Sequence, residues 1–209
     1  MNEDMKGATV TKNDFREPLS RYIIEVKRNR NFVRSTIEIL EAKKTVFRIK
    51  DTTIEIDVVT DSISKVLESI YSSFLIVDIR KVQERKHIAN PSLFEILSSM
   101  LECEILSCSE RFWECHTVLE SVWMHSGIEY KSFLQSIILF SSSQAKYQMS
   151  NTDAAERMYL RAHTMLLKSG KSNMVLTDLK DDFYYPIYLR FNIPNEVRIN
   201  SYLRHFNAL

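Results

Sequence analysis

The residues best suited to chemistry lie together in one stretch, RFWECHTVLESVW at positions 111–123. On a helix, Glu120 lies one turn after His116, so the two side chains can touch. In one interpretation, Glu120 orients His116 as a general base or ligand in a pocket. In the other, the two form a buried polar network that fixes helix pairing, with Gln135 of the next helix as a further partner. We favour the structural interpretation, although the sequence leaves both open.

The cysteines of the same region could supply metal ligands together with His116. They are Cys103, Cys108 and Cys115, but their spacing lacks the paired C-x2-C knuckles of zinc sites. Cys115 and His116 are adjacent and would point about 100° apart on a helix. The stretch 116–120 also differs from the H-E-x-x-H zinc motif. We therefore expect no metal and no cofactor, and interpret the cysteines as small buried side chains in a reducing, cytoplasmic compartment.

Three sequence blocks resemble the domain of unknown function 309 family, a small helical domain. Its signature, of the type F-[FYW]-E-x-H-E-x-L-E-x-x-W, is matched in register by Phe112, Trp113, Glu114, His116, Leu119, Glu120 and Trp123. FLQSIIL at 133–139 resembles the family's F-L-Q-G-L-I-Q helix, and SNTDAA at 150–155 resembles its G-N-x-x-G-A turn. The blocks keep the order and spacing of the family over residues 93–168.

The resemblance implies a helical fold and intracellular life, but no known reaction. Besides His116, Glu120 and Gln135, the residues it suggests for a ligand pocket are Trp113, Glu114, Trp123 and Asn151. The chain departs from the family pattern at Thr117, where a glutamate is usual, and at Ser136 and Leu139. If the polar cluster of the family is a site, this chain has lost part of it.

Apolar periodicity in the first half of the chain predicts the elements that precede this region. Alternation with a period of two predicts strands at 21–27, 45–50, 53–59 and 74–80, and helical spacing predicts helices at 31–40 and 61–70. The order strand, helix, strand, strand, helix, strand is the split βαβ, ferredoxin-like arrangement. We therefore expect an α+β fold, with a ferredoxin-like βαββαβ domain at 21–82 after a flexible arm at 1–20. Right-handed crossovers place both helices on one face of its antiparallel sheet.

The second half of the chain predicts helices. Four apolar stripes between residues 90 and 170, separated by short breaks, predict an all-α antiparallel bundle domain. The tail at 171–209 is rich in aromatic residues at 183–188 and is expected to lie extended over another surface before a final helix at 192–206. Because the second face of the sheet needs cover, we expect the tail or the bundle to pack on it, with a homodimer or another protein as the alternative.

Charge and composition exclude several classes of function. The chain has 28 Lys plus Arg and 27 Asp plus Glu, so its net charge is 28 − 27 = +1, which provides no field for nucleic acid or an anionic membrane. Only 3 glycines are present, which excludes a glycine-rich phosphate loop. No apolar run approaches the ~20 residues of a membrane span. We predict a cytoplasmic, non-catalytic binding or assembly module; the alternative is an enzyme of unknown reaction with a His116 and Glu120 pocket.

Overall fold

A computed structural model describes residues 18–28, 39, 42–83 and 85–206, with side chains as far as residue 200. The predicted arm at 1–20 and the predicted helix at 31–40 lie mostly outside these residues. The described chain is mixed α+β, as predicted, and consists of a four-stranded antiparallel sheet followed by several helices. None of the helices within the described part of the chain is long and apolar enough to span a membrane.

The sheet has the spatial strand order β2-β3-β1-β4, and all neighbouring strands are antiparallel. The strands are β1 (Ser20–Lys27), β2 (Lys44–Ile49), β3 (Thr53–Thr60) and β4 (Ile76–Lys81). Helix α1 (Ile63–Tyr71) connects β3 to β4. The four strands agree in position with those expected from alternation.

One face of the sheet is apolar and packs on α1. Side chains at alternate positions of a strand share a face, and here they form a buried cluster with two residues of α1: Ile24, Val26, Ile54, Ile56, Val58, Val66 and Ile70. Burying each such side chain contributes about 1.5–3 kcal/mol relative to exposure. A register shift of one residue would exchange the two faces. The apolar cluster therefore fixes which side chains point to the opposite face.

Four long helices follow, and local signals set their ends. They are α2 (Leu93–Cys108), α3 (Phe112–Trp123), α4 (Ile128–Gln148) and α5 (Thr152–Lys168), and each packs against the next. Ser92 begins α2 with a capping box: its hydroxyl accepts from the Glu95 N–H, and its own N–H donates to the Glu95 carboxylate. Glu110 and Ser150 have positive φ angles of 53° and 59° in the turns that precede α3 and α5.

The tail packs into the helical core. Its buried side chains lie at alternate positions, as in an extended strand, and are Ile187, Leu189, Phe191 and Ile193. The backbone N–H groups of residues 187, 189 and 191 donate to Gln144, Ser107 and Glu104. These polar helix side chains thus take the place of a neighbouring strand. A final helix, α6 (Asn195–Phe206), follows as predicted and packs against α2.

The second face of the sheet is covered by helices and carries charged side chains at its centre. Arg48, Glu55 and Asp57 are each no more than 3% exposed. This face also carries an apolar residue, since Ile23 is buried. However, its cross-strand partner is Asp57. The helices that cover this face therefore enclose charged side chains, which need partners once water is excluded.

Candidate functional site

The chemically capable stretch 111–123 forms α3, which has two different sides. The core side is fully or almost fully buried and comprises Phe112, Cys115, Val118, Leu119 and Val122. The other side meets the sheet: Glu114 forms an ion pair with Arg80 of β4, and Trp113 lies beside Arg21 of β1. The polar signature residues are therefore positioned at the junction between the sheet and the helices.

Asp57 on β3 holds two arginines at this junction. Its carboxylate accepts hydrogen bonds from Nε and Nη2 of Arg21, at 2.8 and 2.5 Å, and from Nη2 of Arg48 at 2.6 Å. Burial opposes the charge on Asp57, but the hydrogen bonds of Arg21 and the charge of Arg48 outweigh it and lower the pKa of Asp57. The ionised carboxylate orients both guanidinium groups.

Arg80 on β4 connects the sheet to α3. Its Nη2 donates to Oε1 of Glu55 at 2.5 Å, and its Nε donates to Oε1 of Glu114 at 3.2 Å. Arg111 holds the same Glu114 carboxylate through its Nε at 2.8 Å. Burial disfavours the charge on Glu114, but the hydrogen bond from Arg111 and the charge of Arg80 overcome this and lower the pKa of Glu114. The Glu114 carboxylate is therefore ionised at neutral pH and pairs with both arginines.

Lys50, next to β2 in sequence, completes this set of ion pairs. Its Nζ lies 2.9 Å from Oε1 of Glu55 and 3.1 Å from Oε1 of Glu25. We call the whole set the junction ion network; its cations are Arg21, Arg48, Lys50, Arg80 and Arg111, and its carboxylates are Glu25, Glu55, Asp57, Asp78 and Glu114. Such pairing is required because desolvation costs several kcal/mol per buried ion.

Trp113 lies at the centre of the junction. The guanidinium carbons of Arg21 and Arg48 are 3.8 and 5.4 Å from the centroid of its ring, within the range of a cation–π interaction. Three cavities open beside Trp113, with volumes of about 360, 610 and 300 Å³. Trp113 is part of the wall of each cavity, so all three lie at the junction.

The smallest cavity, which we call the β2–α3 cavity, combines cationic and apolar walls. Its basic residues are Arg21, Lys44, Arg48, His116 and Lys146, and the others are Val46, Trp113, Ser142, Ala145, Met149 and Met158. Among these lining residues there is no carboxylate. This wall is suited to bind a negatively charged group next to an apolar body.

The structure separates the residues expected to form one polar cluster. Nδ1 of His116 is 3.9 Å from Oε2 of Glu120, and the two side chains are 30% and 41% exposed. That distance is too long for a hydrogen bond. His116 lines the β2–α3 cavity, whereas Glu120 lines the 610 Å³ cavity. Gln135 is half-buried on α4, and none of the described residues hydrogen-bonds to its side chain.

The remaining candidates have local roles. Trp123 packs against the helical core, and the Asn151 side chain caps α5 by accepting from the Ala154 N–H at 3.3 Å. The Cys115 thiol is buried and donates to the Cys103 carbonyl, and burial raises the pKa of Cys115 well above its ordinary value. Over the described ranges, no group of three or more His, Cys, Asp or Glu residues is placed to hold a metal ion.

Sequence reasoning missed the contribution of the sheet to this site. Glu55 and Asp57 alternate with apolar residues along β3, and the same pattern is typical of a strand with one solvated face. A buried charged face differs from a solvated one in that its carboxylates are paired. Here Asp57 pairs with Arg48 and Glu55 pairs with Arg80, both from other strands. The clue in the sequence was the arginine in β2, flanked by Phe47 and Ile49.

Part of the chain matches a known protein family. The model described as Domain of unknown function (DUF309) matches residues 103–158. We call residues 103–158, which are similar to this family, the DUF309 segment. The match runs from within α2 to within α5 and includes the whole of α3, which confirms the resemblance over this segment. No curated protein and no solved structure matches the chain significantly. The DUF309 segment supplies Trp113, Glu114 and His116, while the sheet outside it supplies Arg21, Arg48 and Arg80.

Proposed function

We propose that this protein is a non-catalytic binding module whose ligand site lies at the junction between the sheet and α3. One observation carries the proposal: four signature side chains of the DUF309 segment border three cavities at the junction with the sheet, namely Trp113, Glu114, His116 and Glu120. Glu114 is held by Arg80 and Arg111, and Trp113 is flanked by Arg21. Side chains held in this way form a rigid wall, which favours binding.

The proposal includes the ferredoxin-like arrangement for residues 21–82. It is supported by the antiparallel strand order β2-β3-β1-β4 and by the position of α1 between β3 and β4. We propose further that residues 90–170 form the helical bundle unit and that the tail at 171–209 completes its core. The cytoplasmic location expected from the sequence is part of the same proposal, and the free cysteines Cys103, Cys108 and Cys115 are compatible with it.

An enzyme that uses His116 and Glu120 is the alternative. The observation in its favour is that His116 lines an open cavity and that its Nδ1 has no hydrogen-bond partner among the described residues. Against it, Glu120 lies 3.9 Å away and faces a different cavity. A general base whose orienting carboxylate belongs to another cavity lacks the arrangement that this chemistry requires.

The two tryptophans of the chain allow a direct test. Trp123→Phe leaves Trp113 as the fluorescent reporter of the junction. Trp113→Phe leaves Trp123 as the reporter in the helical core and also removes the indole ring from the proposed site. We expect members of a small-metabolite library to change the emission of Trp113 saturably and to leave that of Trp123 unchanged. Proton NMR of the same mixtures should show binding without conversion. Changes reported only by Trp123 would contradict the proposed site, and turnover that is lost in His116→Ala would establish the enzyme instead.

A further inference from the structure

We infer that the β2–α3 cavity binds a small organic anion, with a carboxylate or phosphate head and a planar apolar body. The inference rests on the proposed function, because it specifies the ligand class for one of the cavities at the junction. The basis is the combination of a cationic wall, a buried arginine with unused hydrogen-bonding capacity and an adjacent aromatic face.

The buried arginine is Arg48, whose side chain is 2% exposed. Its Nη2 donates to Asp57, but its Nε and Nη1 make no hydrogen bond to any described residue. Nη1 lies 3.6 Å from Oε2 of Glu55, beyond hydrogen-bond distance for this geometry. A buried donor without a partner is costly. An anionic oxygen in the cavity that Arg48 lines would provide an acceptor.

Two lysines add charge to the same cavity. Lys44 at the start of β2 and Lys146 in the last turn of α4 both line it, and neither forms an ion pair with another described residue. Asp57 accepts hydrogen bonds from two arginines of the cavity wall, Arg21 and Arg48, but is not itself one of the lining residues. Positive charge in the cavity is thus left without a local counter-ion, and this favours an anionic ligand.

The rest of the wall limits the body of the ligand. The ring of Trp113 and the side chains of Val46, Met149 and Met158 are apolar and polarizable. A volume of about 300 Å³ is at the small end of ligand sites. A single aromatic ring with one anionic group matches both the volume and the division of the wall into charged and apolar parts.

Benzoate, phenyl phosphate and the neutral isostere benzamide test this inference, with Trp113 emission in Trp123→Phe as the readout. We expect saturable binding of benzoate or phenyl phosphate, and binding of benzamide at least about tenfold weaker, because only the anions gain from the cations of the wall. Which of the two anions binds more tightly identifies the head group as carboxylate or phosphate.

A charge-matched pair of variants locates the binding. Lys44→Gln/Lys146→Gln removes two charges from the cavity, whereas Lys27→Gln/Lys168→Gln removes two charges from lysines that do not line it. We expect the first pair to weaken anion binding about tenfold and the second to change it less than about twofold, with unchanged thermal stability in both. Equal effects of the two pairs, or no binding of either anion, would overturn the inference. If benzamide binds as tightly as benzoate, a ligand site at the junction remains but its anion preference is refuted.

Discussion

Replacing Arg80 with methionine tests whether the junction ion network holds the sheet and α3 together. Methionine keeps an unbranched apolar stem but removes the charged hydrogen bonds to Glu55 and Glu114. Glu55 is 2% exposed, so the carboxylate cannot recover these interactions from water without local rearrangement. It retains Lys50 at 2.9 Å, and Glu114 retains Arg111 at 2.8 Å.

The expected cost follows from these contacts. A hydrogen bond to a charged group contributes about 1.5–3 kcal/mol. Arg80→Met removes three that are partly buried, to Glu55, to Glu114 and, at 3.4 Å, to Glu25. The remaining cations on each carboxylate reduce the loss, so we expect the free energy of unfolding to fall by about 2–4 kcal/mol. The pair with Asp78, whose side chain is 50% exposed, adds less than about 1 kcal/mol.

Arg85→Met is the matched control, because Arg85 pairs with Glu102 and is 43% exposed. We expect it to cost about 0–1 kcal/mol. Urea unfolding followed by far-ultraviolet circular dichroism measures both variants. A cycle with Glu114→Gln should give a coupling energy of about 1 kcal/mol or more with Arg80→Met. Equal costs for Arg80→Met and Arg85→Met, or additive effects in the cycle, would refute the view that Arg80 connects the two layers.

Three further outcomes can be checked in the same way. The pKa values of Asp57 and Glu114 are lowered by folding. Their contribution to stability should therefore be complete above about pH 5 and should be lost as the pH falls below about 4. Urea unfolding midpoints measured between pH 3 and 7 should show this loss, and the decrease should be shallower in Glu114→Gln. Gln144→Leu should lower the free energy of unfolding by about 1–3 kcal/mol, because Gln144 accepts from the Ile187 N–H and donates to the Tyr184 carbonyl, whereas Gln135→Leu on the same helix should change it by less than about 0.5 kcal/mol. A chain that ends at Gly170 lacks the four buried tail side chains and should lose its cooperative thermal transition; a normal melting curve would show that the tail is not part of the core.

The strands and helices were predictable because their signals are local. Ile54, Ile56 and Val58 alternate within one strand, and the apolar stripe of α3 repeats within three turns. The aromatic tail was expected to lie extended over another surface, but which surface could not be chosen from the sequence, and its buried side chains lie in the helical core. Its backbone is satisfied by Ser107 and Gln144, which are separated from it by 82 and 43 residues and carry no motif.

The junction could not be predicted because it depends on pairs of residues from distant elements. Arg80 and Glu114 are 34 positions apart, and each is an ordinary surface residue by its own surroundings in the sequence. Helical spacing places His116 and Glu120 one turn apart, yet it could not show that each would line a different cavity. That outcome depends on how α3 is oriented against the sheet, where Arg80 contacts Glu114 and Arg21 contacts Trp113.

The electrostatics of the junction follow from where charges are compensated rather than from the net charge of the chain. Within the junction ion network, each buried carboxylate has at least one cation within 3.2 Å, so the network contributes little field outside itself. Lys44 and Lys146 lie outside the network and face the β2–α3 cavity without a carboxylate among the lining residues. A chain of net charge +1 can therefore present a locally positive cavity, because the compensating negative charges lie elsewhere in the molecule. Salt screens the interaction between exposed charges that are more than about 8 Å apart. Raising the salt concentration should accordingly weaken anion binding at an exposed lysine more than at Arg48, which is screened least because it is buried.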